Sequence, residues 1–296
     1  MTERIIDISD AAAYLHARSG LLVIEPQGAP AATVPFPEVA ALVLAHPHTR
    51  CTQAALSGLS EAGACVVVCN AKFLPVGMLL PLAGHGTQGE RFRQQAAASR
   101  PTRKRLWKQI VQAKIRNQSS VLRDLRGDDA GLRKLVSRVR SGDPQNVEAW
   151  ASRRYWRHLF PEESFRRNPD ADDQNRFLNY GYAVARAIVA RALCAAGLHP
   201  GLGIHHHNRY DAYCLADDLL EPLRPVVDRV VARLCQERGT QAPMDHDTKA
   251  AIIGALTGRL DMDGESRTLF DLLARTAASL AAVLAAQRKD LVLPEL

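Results

Sequence analysis

Residues suited to metal chemistry are concentrated in two parts of the chain. The run His205-His206-His207 precedes two acids, Asp218 and Glu221, which stand just ahead of a strongly apolar helical segment. A further acid, Glu148, lies upstream. One histidine and two or three carboxylates from separate elements can hold a hard divalent ion. This set of side chains predicts a Mg²⁺ or Mn²⁺ site rather than a structural zinc site, which prefers cysteine and histidine.

The spacing limits how many of these side chains can reach one ion. In an extended loop, His205 and His207 face one side and His206 the other, so at most one or two of them bind. On a helix, Asp218 and Glu221 are three positions apart and share a face. Acids also favour the first turn of a helix, where they interact with the helix dipole. The sequence alone therefore leaves a capping role open beside the metal role.

Positive charge is concentrated immediately before Glu148. The chain carries a formal net charge of +7 and has a pI of about 9.3. Residues 100–140 hold 13 Lys or Arg and 3 acids, a net charge of +10, so the remainder of the chain is slightly acidic. Such a concentrated basic segment is typical of a surface that binds the phosphate backbone of nucleic acid. The predicted DNA contacts are Arg103, Lys104, Arg105, Lys108, Lys114, Arg153 and Arg154.

Composition narrows the class of protein. The 296 residues, 47% of them hydrophobic, suffice for one large or two ordinary globular domains. No Walker loop, nucleophile elbow or dinucleotide fingerprint is present. The six cysteines form no CxxC pair, and no apolar stretch is long enough to span a bilayer. We expect reduced cysteines, no membrane partner and a cytoplasmic location.

The periodicity of apolar residues changes along the chain. Up to about residue 86 it indicates short strands, with one helix over residues 52–62. Later segments have helical spacing, over residues 91–98, 103–124, 175–198, 217–234 and 269–287. A break is expected at Pro101 and a kink or restart at Pro222 and Pro225. The predicted fold class is α+β, with a small β-rich, β-sandwich-like N-terminal domain before a larger all-α catalytic domain. The predicted boundaries are 1–86 (β-rich domain), 87–102 (linker or start of the helical region), 103–288 (helical domain) and 289–296 (tail).

Several motifs resemble one known family, the first-numbered family of CRISPR-associated proteins. Its members are the integrases and endonucleases of the spacer-acquisition, or adaptation, module, a step of antiviral defence. The resemblance runs essentially end to end, and the GIHH and ADDLLEP runs resemble the type II branch. The matching segments are Lys114-Ile115-Arg116-Asn117-Gln118, Leu178-Asn179-Tyr180-Gly181-Tyr182, Gly203-Ile204-His205-His206 and Ala216-Asp217-Asp218-Leu219-Leu220-Glu221-Pro222.

The resemblance implies particular roles and partners. It implies that Glu148, His206 and Glu221 bind the metal, with Asp218 as a supporting catalytic acid. Ala149 stands where the family often has glycine, which a helix tolerates because alanine is the better helix former. The family forms a homodimer, and two homodimers join a dimer of the small second adaptation protein in a heterohexamer. A type II member works beside a large RNA-guided nuclease.

The resulting hypothesis is a metal-dependent DNA integrase and endonuclease. It would insert short foreign DNA into a CRISPR array by attack of a DNA 3′-hydroxyl at the repeat boundary. Two alternatives stay open, a general repair nuclease for branched DNA and a non-catalytic helical DNA-binding protein. Dependence on a divalent metal separates the last from the other two, because a pure binder should be insensitive to a chelator apart from ionic strength.

Overall fold

A computed structural model of the chain describes residues 3–70, 75–81, 84–160, 165–262 and 265–296. Strands dominate the N-terminal part, and helices dominate the rest, which confirms the predicted fold class. The N-terminal part contains eight strands and one α-helix among the described residues. These elements are β1 (Arg4–Ile8), β2 (Ala13–Arg18), β3 (Leu21–Pro26), β4 (Ala32–Pro35), β5 (Val39–Leu44), β6 (Arg50–Cys51), α1 (Gln53–Glu61), β7 (Cys65–Cys69) and β8 (Pro75–Leu79).

The N-terminal strands form two four-stranded sheets. One sheet has the order β1-β5-β7-β8, in which β5 runs parallel to both of its neighbours. The other has the order β4-β3-β2-β6. Side chains alternate along β5 and β7, so Leu42 and Val66 enter the core between the sheets. Ala41, Val43 and Val67 enter the core of the helical part instead. The first sheet is therefore buried on both faces and joins the two parts of the molecule.

The helical part contains nine helices and a small hairpin among the described residues. The predicted break near Pro101 is present, because one helix ends at Ala96 and the next begins at Arg100. Pro101 lies in the first turn of this second helix, where Ser99 caps the helix and a missing N–H costs nothing. The elements are α2 (Gln88–Ala96), α3 (Arg100–Arg126), α4 (Arg133–Val136), α5 (Val147–Leu159), α6 (Asn175–Ala195), α7 (Cys214–Leu220), α8 (Arg224–Arg238), α9 (His246–Thr257), β9 (Arg259–Met262), β10 (Glu265–Thr268) and α10 (Leu269–Leu284).

The predicted restart near Pro222 is present. Helix α7 ends at Leu220, one turn of 3-10 helix covers Glu221–Leu223, and α8 begins at Arg224 with Pro225 in its first turn. Helix α9 and the antiparallel β9–β10 hairpin are not predicted by the periodicity. The hairpin is the one departure from an all-helical second part within the described residues. None of the helices the structure describes is long and apolar enough to cross a membrane.

The C-terminal tail lies along α3. The Gln109 side chain accepts a hydrogen bond from Leu291 N at 2.8 Å, and the Asn117 side chain binds both Pro294 O and Leu296 N at 2.9 Å. Asn117 Nδ2 also donates to Pro222 O at 2.7 Å. One buried amide on α3 therefore fixes both the tail and the turn that follows Glu221.

Candidate functional site

Glu148 is positioned by the start of α5. Asp143 lies in the turn before this helix, and its carboxylate accepts hydrogen bonds from Val147 N (3.0 Å) and Glu148 N (2.9 Å). It thereby caps two of the unpaired N–H groups of the first turn. The Glu148 carboxylate accepts a further bond from Ser152 Oγ at 3.1 Å, one turn later. Its backbone and side chain are thus both fixed.

Lys114 of α3 joins the two predicted carboxylate ligands. Its ammonium forms ion pairs with Glu148 and, at 2.5 Å, with Glu221 Oε2. The Lys114 side chain is only 10% exposed, that of Glu221 8% and that of Glu148 26%. Burial lowers the pKa of Lys114, but the two carboxylates outweigh it and raise that pKa. Lys114 is therefore held in its charged form between the two carboxylates.

Glu221 has a second cation beside it. Arg224 Nε donates to Glu221 Oε1 at 2.9 Å, from the first turn of α8. Burial raises the pKa of Glu221, but Arg224 and then Lys114 more than compensate and bring it to about 2. The break between α7 and α8 thus places Glu221 between two positive charges.

His206 is held by Asp218. The imidazole Nδ1 lies 2.7 Å from Asp218 Oδ1, and the same carboxylate accepts from the backbone N–H groups of His205 (3.0 Å) and His206 (3.1 Å). Because a carboxylate only accepts, we assign the proton to Nδ1, which leaves Nε2 as the free lone pair. The hydrogen bond that the imidazole donates to Asp218 raises the pKa of His206 more than burial lowers it. A carboxylate that fixes the far nitrogen is the usual arrangement behind a metal-binding histidine.

The loop before α7 requires glycine at position 203. A Cβ there would lie 2.1 Å from His206 O and 3.2 Å from Asp218 Oδ2. The loop can therefore approach the carboxylate only because no side chain intervenes. This gives a physical reason for the glycine that opens the Gly203–His206 motif.

The other two histidines have different surroundings. His205 stacks on Trp107 of α3, with ring centroids 4.0 Å apart and planes 3° apart. Burial lowers the pKa of His205, so its neutral form is favoured. His207 Nδ1 lies 2.8 Å from His205 O and its side chain is exposed. Of these three histidines, only His206 contacts Asp218 through its ring, which identifies it as the supported imidazole.

Two neighbours of the site have structural roles. Arg186 of α6 forms a bidentate pair with Asp217, at 2.7 and 3.0 Å. Asp217 therefore points away from Asp218, as helical geometry predicts. Cys214 is buried, and burial raises its thiol pKa, which agrees with its interpretation as a core residue. All six cysteines are free.

The structure brings the predicted ligands together in two groups. Glu148 and Glu221 meet at Lys114, whereas His206 packs edge-on against Trp107 at 5.7 Å. Trp107 precedes Lys114 by seven residues on α3, which is about 10 Å along a helix axis. Within the described ranges, no three His, Cys, Asp or Glu side chains already lie at metal-binding distance. A shared ion would require movement of His206 or of the carboxylates.

The pair Glu148 and Glu221 nevertheless forms surroundings that suit a cation. A cavity of about 230 Å³ opens beside Glu148 and Glu221. In its wall, Gln118 Oε1 is buried without a hydrogen-bond donor among the described residues, and Glu221 Oε2 is paired with the Lys114 ammonium. Buried oxygens of this kind are ligands for Mg²⁺ or Mn²⁺. We define this space as the site cavity, and its lining residues are Lys114, Gln118, Glu148, Ser152, Trp156, Arg167, Tyr182, Glu221, Arg224 and Asp228.

A buried acid behind the site cavity is absent from the sequence prediction. Asp228 of α8 is 1% exposed and accepts hydrogen bonds from Tyr155 OH (3.0 Å) and Tyr182 OH. Burial raises its pKa to about 7, although both hydroxyls favour the ionised form. The signal available in the sequence is an acid on the apolar face of α8, four residues after Arg224. Its partners could not be read from the sequence, because they lie 73 and 46 residues away.

The predicted DNA contacts on α3 divide into two kinds. Lys104 and Arg105 are exposed and Lys108 is half-buried, so these three could meet a phosphate backbone. Arg103 is less available to DNA, because its guanidinium already donates a hydrogen bond to Ala98 O at 3.0 Å, just beyond the end of α2. The assignment of Lys114 to the DNA surface is corrected, because this side chain is buried and paired with both carboxylates.

Arg153 and Arg154 lie on the exposed side of α5, opposite Glu148. Arg157 lies beside them, and Trp150 is 42% exposed on the same surface. The guanidinium of Arg138 lies 5.4 Å from the centre of the Trp150 ring. The basic surface therefore continues from α3 onto α5 and includes an aromatic ring that the charge count could not reveal.

Comparisons with known proteins show the family of the chain. A family model described as CRISPR associated protein Cas1 matches residues 6–266. The chain is 36% identical to the CRISPR-associated endonuclease Cas1 of Neisseria meningitidis serogroup C (strain 8013), covering 100% of this chain and 97% of that one. It is 28% identical to a CRISPR-associated endonuclease Cas1 of Pyrobaculum aerophilum, covering 94% of this chain and 98% of that one.

Solved structures share the fold. A casposase bound to integration product superposes with a TM-score of 0.81 at 18% identity, covering 97% of this chain and 92% of that one. A Cas1 protein from Thermotoga maritima superposes with a TM-score of 0.74 at 16% identity, covering 96% and 98%. At these identities the structural matches establish the fold alone. With the family model covering most of its length and a relative 36% identical from end to end, the chain belongs to the Cas1 family of CRISPR-associated proteins.

Proposed function

We propose that this protein is a metal-dependent DNA integrase and endonuclease of CRISPR adaptation. The observation that carries the proposal is the convergence of Glu148 and the buried Glu221 on Lys114 in a chain of the Cas1 family. Exposed basic side chains on α3 and α5 suit a phosphate backbone, among them Lys104, Arg105 and Arg153. Acids beside positive charge are a typical arrangement for phosphodiester chemistry with a divalent ion.

Relatives support both the substrate and the partners. The Neisseria relative is named an endonuclease, and the casposase structure contains an integration product. A further structural relative is a Cas6-RT-Cas1–Cas2 complex, with a TM-score of 0.77 at 19% identity. We propose double-stranded protospacer and repeat DNA as substrates, a homodimer, and a heterohexamer with the small second adaptation protein. We also propose the type II branch, work beside its RNA-guided nuclease, and a location in the prokaryotic cytoplasm.

The residues have distinct tasks in this proposal. Glu148, Glu221 and His206 would hold a Mg²⁺ or Mn²⁺ ion. When bound, this ion would stabilise charge on the phosphodiester under attack and on the leaving 3′-oxygen. Asp218 keeps the His206 proton on Nδ1, so that Nε2 stays available. Lys114 and Arg224 keep Glu221 ionised in a buried place. Exposed basic side chains, beginning with Lys104 and Arg105, hold the DNA backbone without reading its sequence.

The proposed reaction is a transesterification. A 3′-hydroxyl of the incoming DNA attacks a phosphodiester at the repeat boundary, and the 3′-oxygen of the repeat strand leaves. No covalent bond to the protein is needed. With water in place of the 3′-hydroxyl, the same groups would catalyse hydrolysis, which accounts for the endonuclease activity.

The test is strand transfer of a short duplex into a supercoiled plasmid that carries a CRISPR repeat. The small adaptation partner is present, with Mn²⁺ or with EDTA. Wild type is compared with Glu148→Ala and His206→Ala, and His207→Ala is the matched control because its ring is exposed and does not contact Asp218. We expect metal-dependent insertion at the repeat edges that is lost in the first two variants and retained in the control.

The rival functions give different results. DNA binding without strand transfer, unchanged by EDTA, would favour a non-catalytic DNA-binding protein. Cleavage of branched DNA that needs neither the partner nor a repeat sequence would favour a general repair nuclease. Full strand transfer by Glu148→Ala would refute the assignment of the site.

A further inference from the structure

Arg167 reaches the site cavity from the loop before α6. Its guanidinium donates to Asn175 Oδ1 at 2.9 Å through one terminal nitrogen and to Asn179 Oδ1 at 2.7 Å through the other. It also lies over the ring of Tyr182, 5.3 Å from the ring centre. With a further bond to the Tyr182 side chain, these contacts engage three of the five N–H groups of an arginine. The group is thus held in a fixed place at the cavity wall with donors to spare.

The charge of Arg167 is balanced differently from those of the other cavity cations. Lys114 is paired with Glu148 and Glu221, and Arg224 is paired with Glu221. Across the described parts of the chain, no carboxylate lies within ion-pair distance of Arg167, whose direct partners are two neutral amides and Tyr182. The charge of Asp228 acts on it only from a longer distance. Burial, with a contribution from Arg224, lowers the pKa of Arg167. An anion brought to this point would relieve that cost.

Anchoring of the loop does not explain this arrangement. Asn175 Nδ2 donates to Arg166 O at 2.9 Å, and Asn179 Nδ2 donates to Pro169 O at 2.7 Å. The two amides therefore hold the loop backbone through bonds of their own. The guanidinium adds a positive charge beside Glu148 and Glu221 without neutralising either of them.

We propose that Arg167 binds a non-bridging oxygen of the phosphodiester under attack. This inference rests on the proposed function and adds a substrate-binding residue to it. A planar guanidinium with free N–H groups matches the oxygens of a phosphate and adds charge-assisted hydrogen bonds. As the new bond from phosphorus to the attacking 3′-oxygen forms and the bond to the leaving 3′-oxygen breaks, the non-bridging oxygens gain negative charge. Arg167 stabilises that charge, and no proton or electron is transferred to it.

The experiment compares two neighbouring arginines in single-turnover strand transfer at saturating DNA, with Mn²⁺ and the small adaptation partner. Arg167→Gln removes the proposed phosphate contact, and Arg167→Lys keeps the charge but loses the planar fork. Arg166→Gln is the matched control, because it removes the same charge from an exposed side chain one residue away. We expect a rate about 10²-fold lower for Arg167→Gln, as for loss of one donor to a developing oxyanion, and an intermediate rate for Arg167→Lys. The control should stay within about threefold of wild type, because an exposed charge contributes little.

Sulfur substitution distinguishes substrate contact from a structural role. Each diastereomer of a single phosphorothioate at the attacked phosphodiester is tested in wild type and in Arg167→Gln. If Arg167 contacts a non-bridging oxygen, sulfur at that oxygen should slow strand transfer less in Arg167→Gln than in wild type, because the variant already lacks the contact. We call this decrease in rate the sulfur penalty. A merely structural defect would leave the penalty unchanged for both diastereomers.

The outcomes separate the inference from the proposed function. A rate for Arg167→Gln equal to that of Arg166→Gln, or an unchanged sulfur penalty, would overturn the role of Arg167 while leaving the integrase intact. A reduced penalty only for phosphorothioates in the incoming strand, away from the attacked phosphodiester, would also overturn it as stated. Absence of strand transfer in wild type would defeat the proposed function itself, and the inference with it.

Discussion

Replacement of Lys114 by methionine tests whether its ammonium is the internal counter-ion of the site. The substitution keeps the length of the side chain but leaves Glu148 and Glu221 without the cation between them. Removing one member of a buried ion pair typically costs 3–5 kcal/mol, because the remaining charge is buried and unpaired. Arg224 still pairs with Glu221, and the Glu148 side chain is 26% exposed to water. We therefore expect a loss of about 2 kcal/mol in the free energy of unfolding.

The assay is urea unfolding at about pH 7.5 in EDTA. Lys104→Met serves as the control, because Lys104 is exposed on the same helix and methionine preserves the packing of its stem over Gly142. This control should change the free energy of unfolding by less than about 0.5 kcal/mol. In a Glu148→Gln background, Lys114→Met should lower the free energy of unfolding by less than it does in wild type. The reason is that Glu148, one of the two carboxylates that the substitution leaves unpaired, is then uncharged.

The pH dependence gives a second readout with a defined sign. The folded-state pKa of Glu221, about 2, lies below its unfolded value of about 4.5, so Glu221 stabilises the fold above about pH 4.5. That contribution is lost as the pH falls from about 4.5 towards 2. Lys114→Met removes one cause of the lowered pKa of Glu221. The free energy of unfolding should therefore fall less steeply in this variant as the pH falls from about 4.5 towards 2. An unfolding free energy within about 0.5 kcal/mol of wild type at pH 7.5 would refute the counter-ion role.

Three further predictions concern the surroundings of the site. Burial places the pKa of Asp228 at about 7, above its unfolded value, so its stabilising effect is present below about pH 4 and is lost as the pH rises through 7. Urea unfolding at about pH 5 and pH 8 should show that slope in wild type but not in Asp228→Asn, and equal slopes would contradict it. Asn117→Ala leaves Pro222 O and the peptide groups of the tail without this partner, so the free energy of unfolding should fall by about 2–4 kcal/mol in the same assay. A change below about 0.5 kcal/mol would argue against the role of Asn117 in holding the tail and the turn after Glu221. Gly203→Ala places a methyl group against the His206 carbonyl, so strand transfer should be lost while circular dichroism still reports the helical fold; wild-type transfer would show that the loop can adjust.

Much of the architecture could be predicted because it depends on local patterns. The helical spacing of apolar residues located α3, α6, α8 and α10, and the prolines after Leu220 marked the break between α7 and α8. Short elements were harder to predict. Strand β2 and helix α9 are packed by distant residues, and their own sequences carry only weak periodic signals. The break between α2 and α3 was marked by Pro101, which lies in the first turn of the second helix rather than between the two.

The site shows the same division between local and distant information. Local patterns were enough to select the candidate residues, because Glu148, His206, Asp218 and Glu221 lie in recognisable motifs at helix starts and in one glycine-containing loop. Their contacts, in contrast, depend on the tertiary fold. It places Lys114 between acids 34 and 107 positions away, and it directs Asp218 to His206. The physical reason is that charge pairing in a buried place depends on which helix faces meet, and that packing is set by the whole core rather than by any one segment.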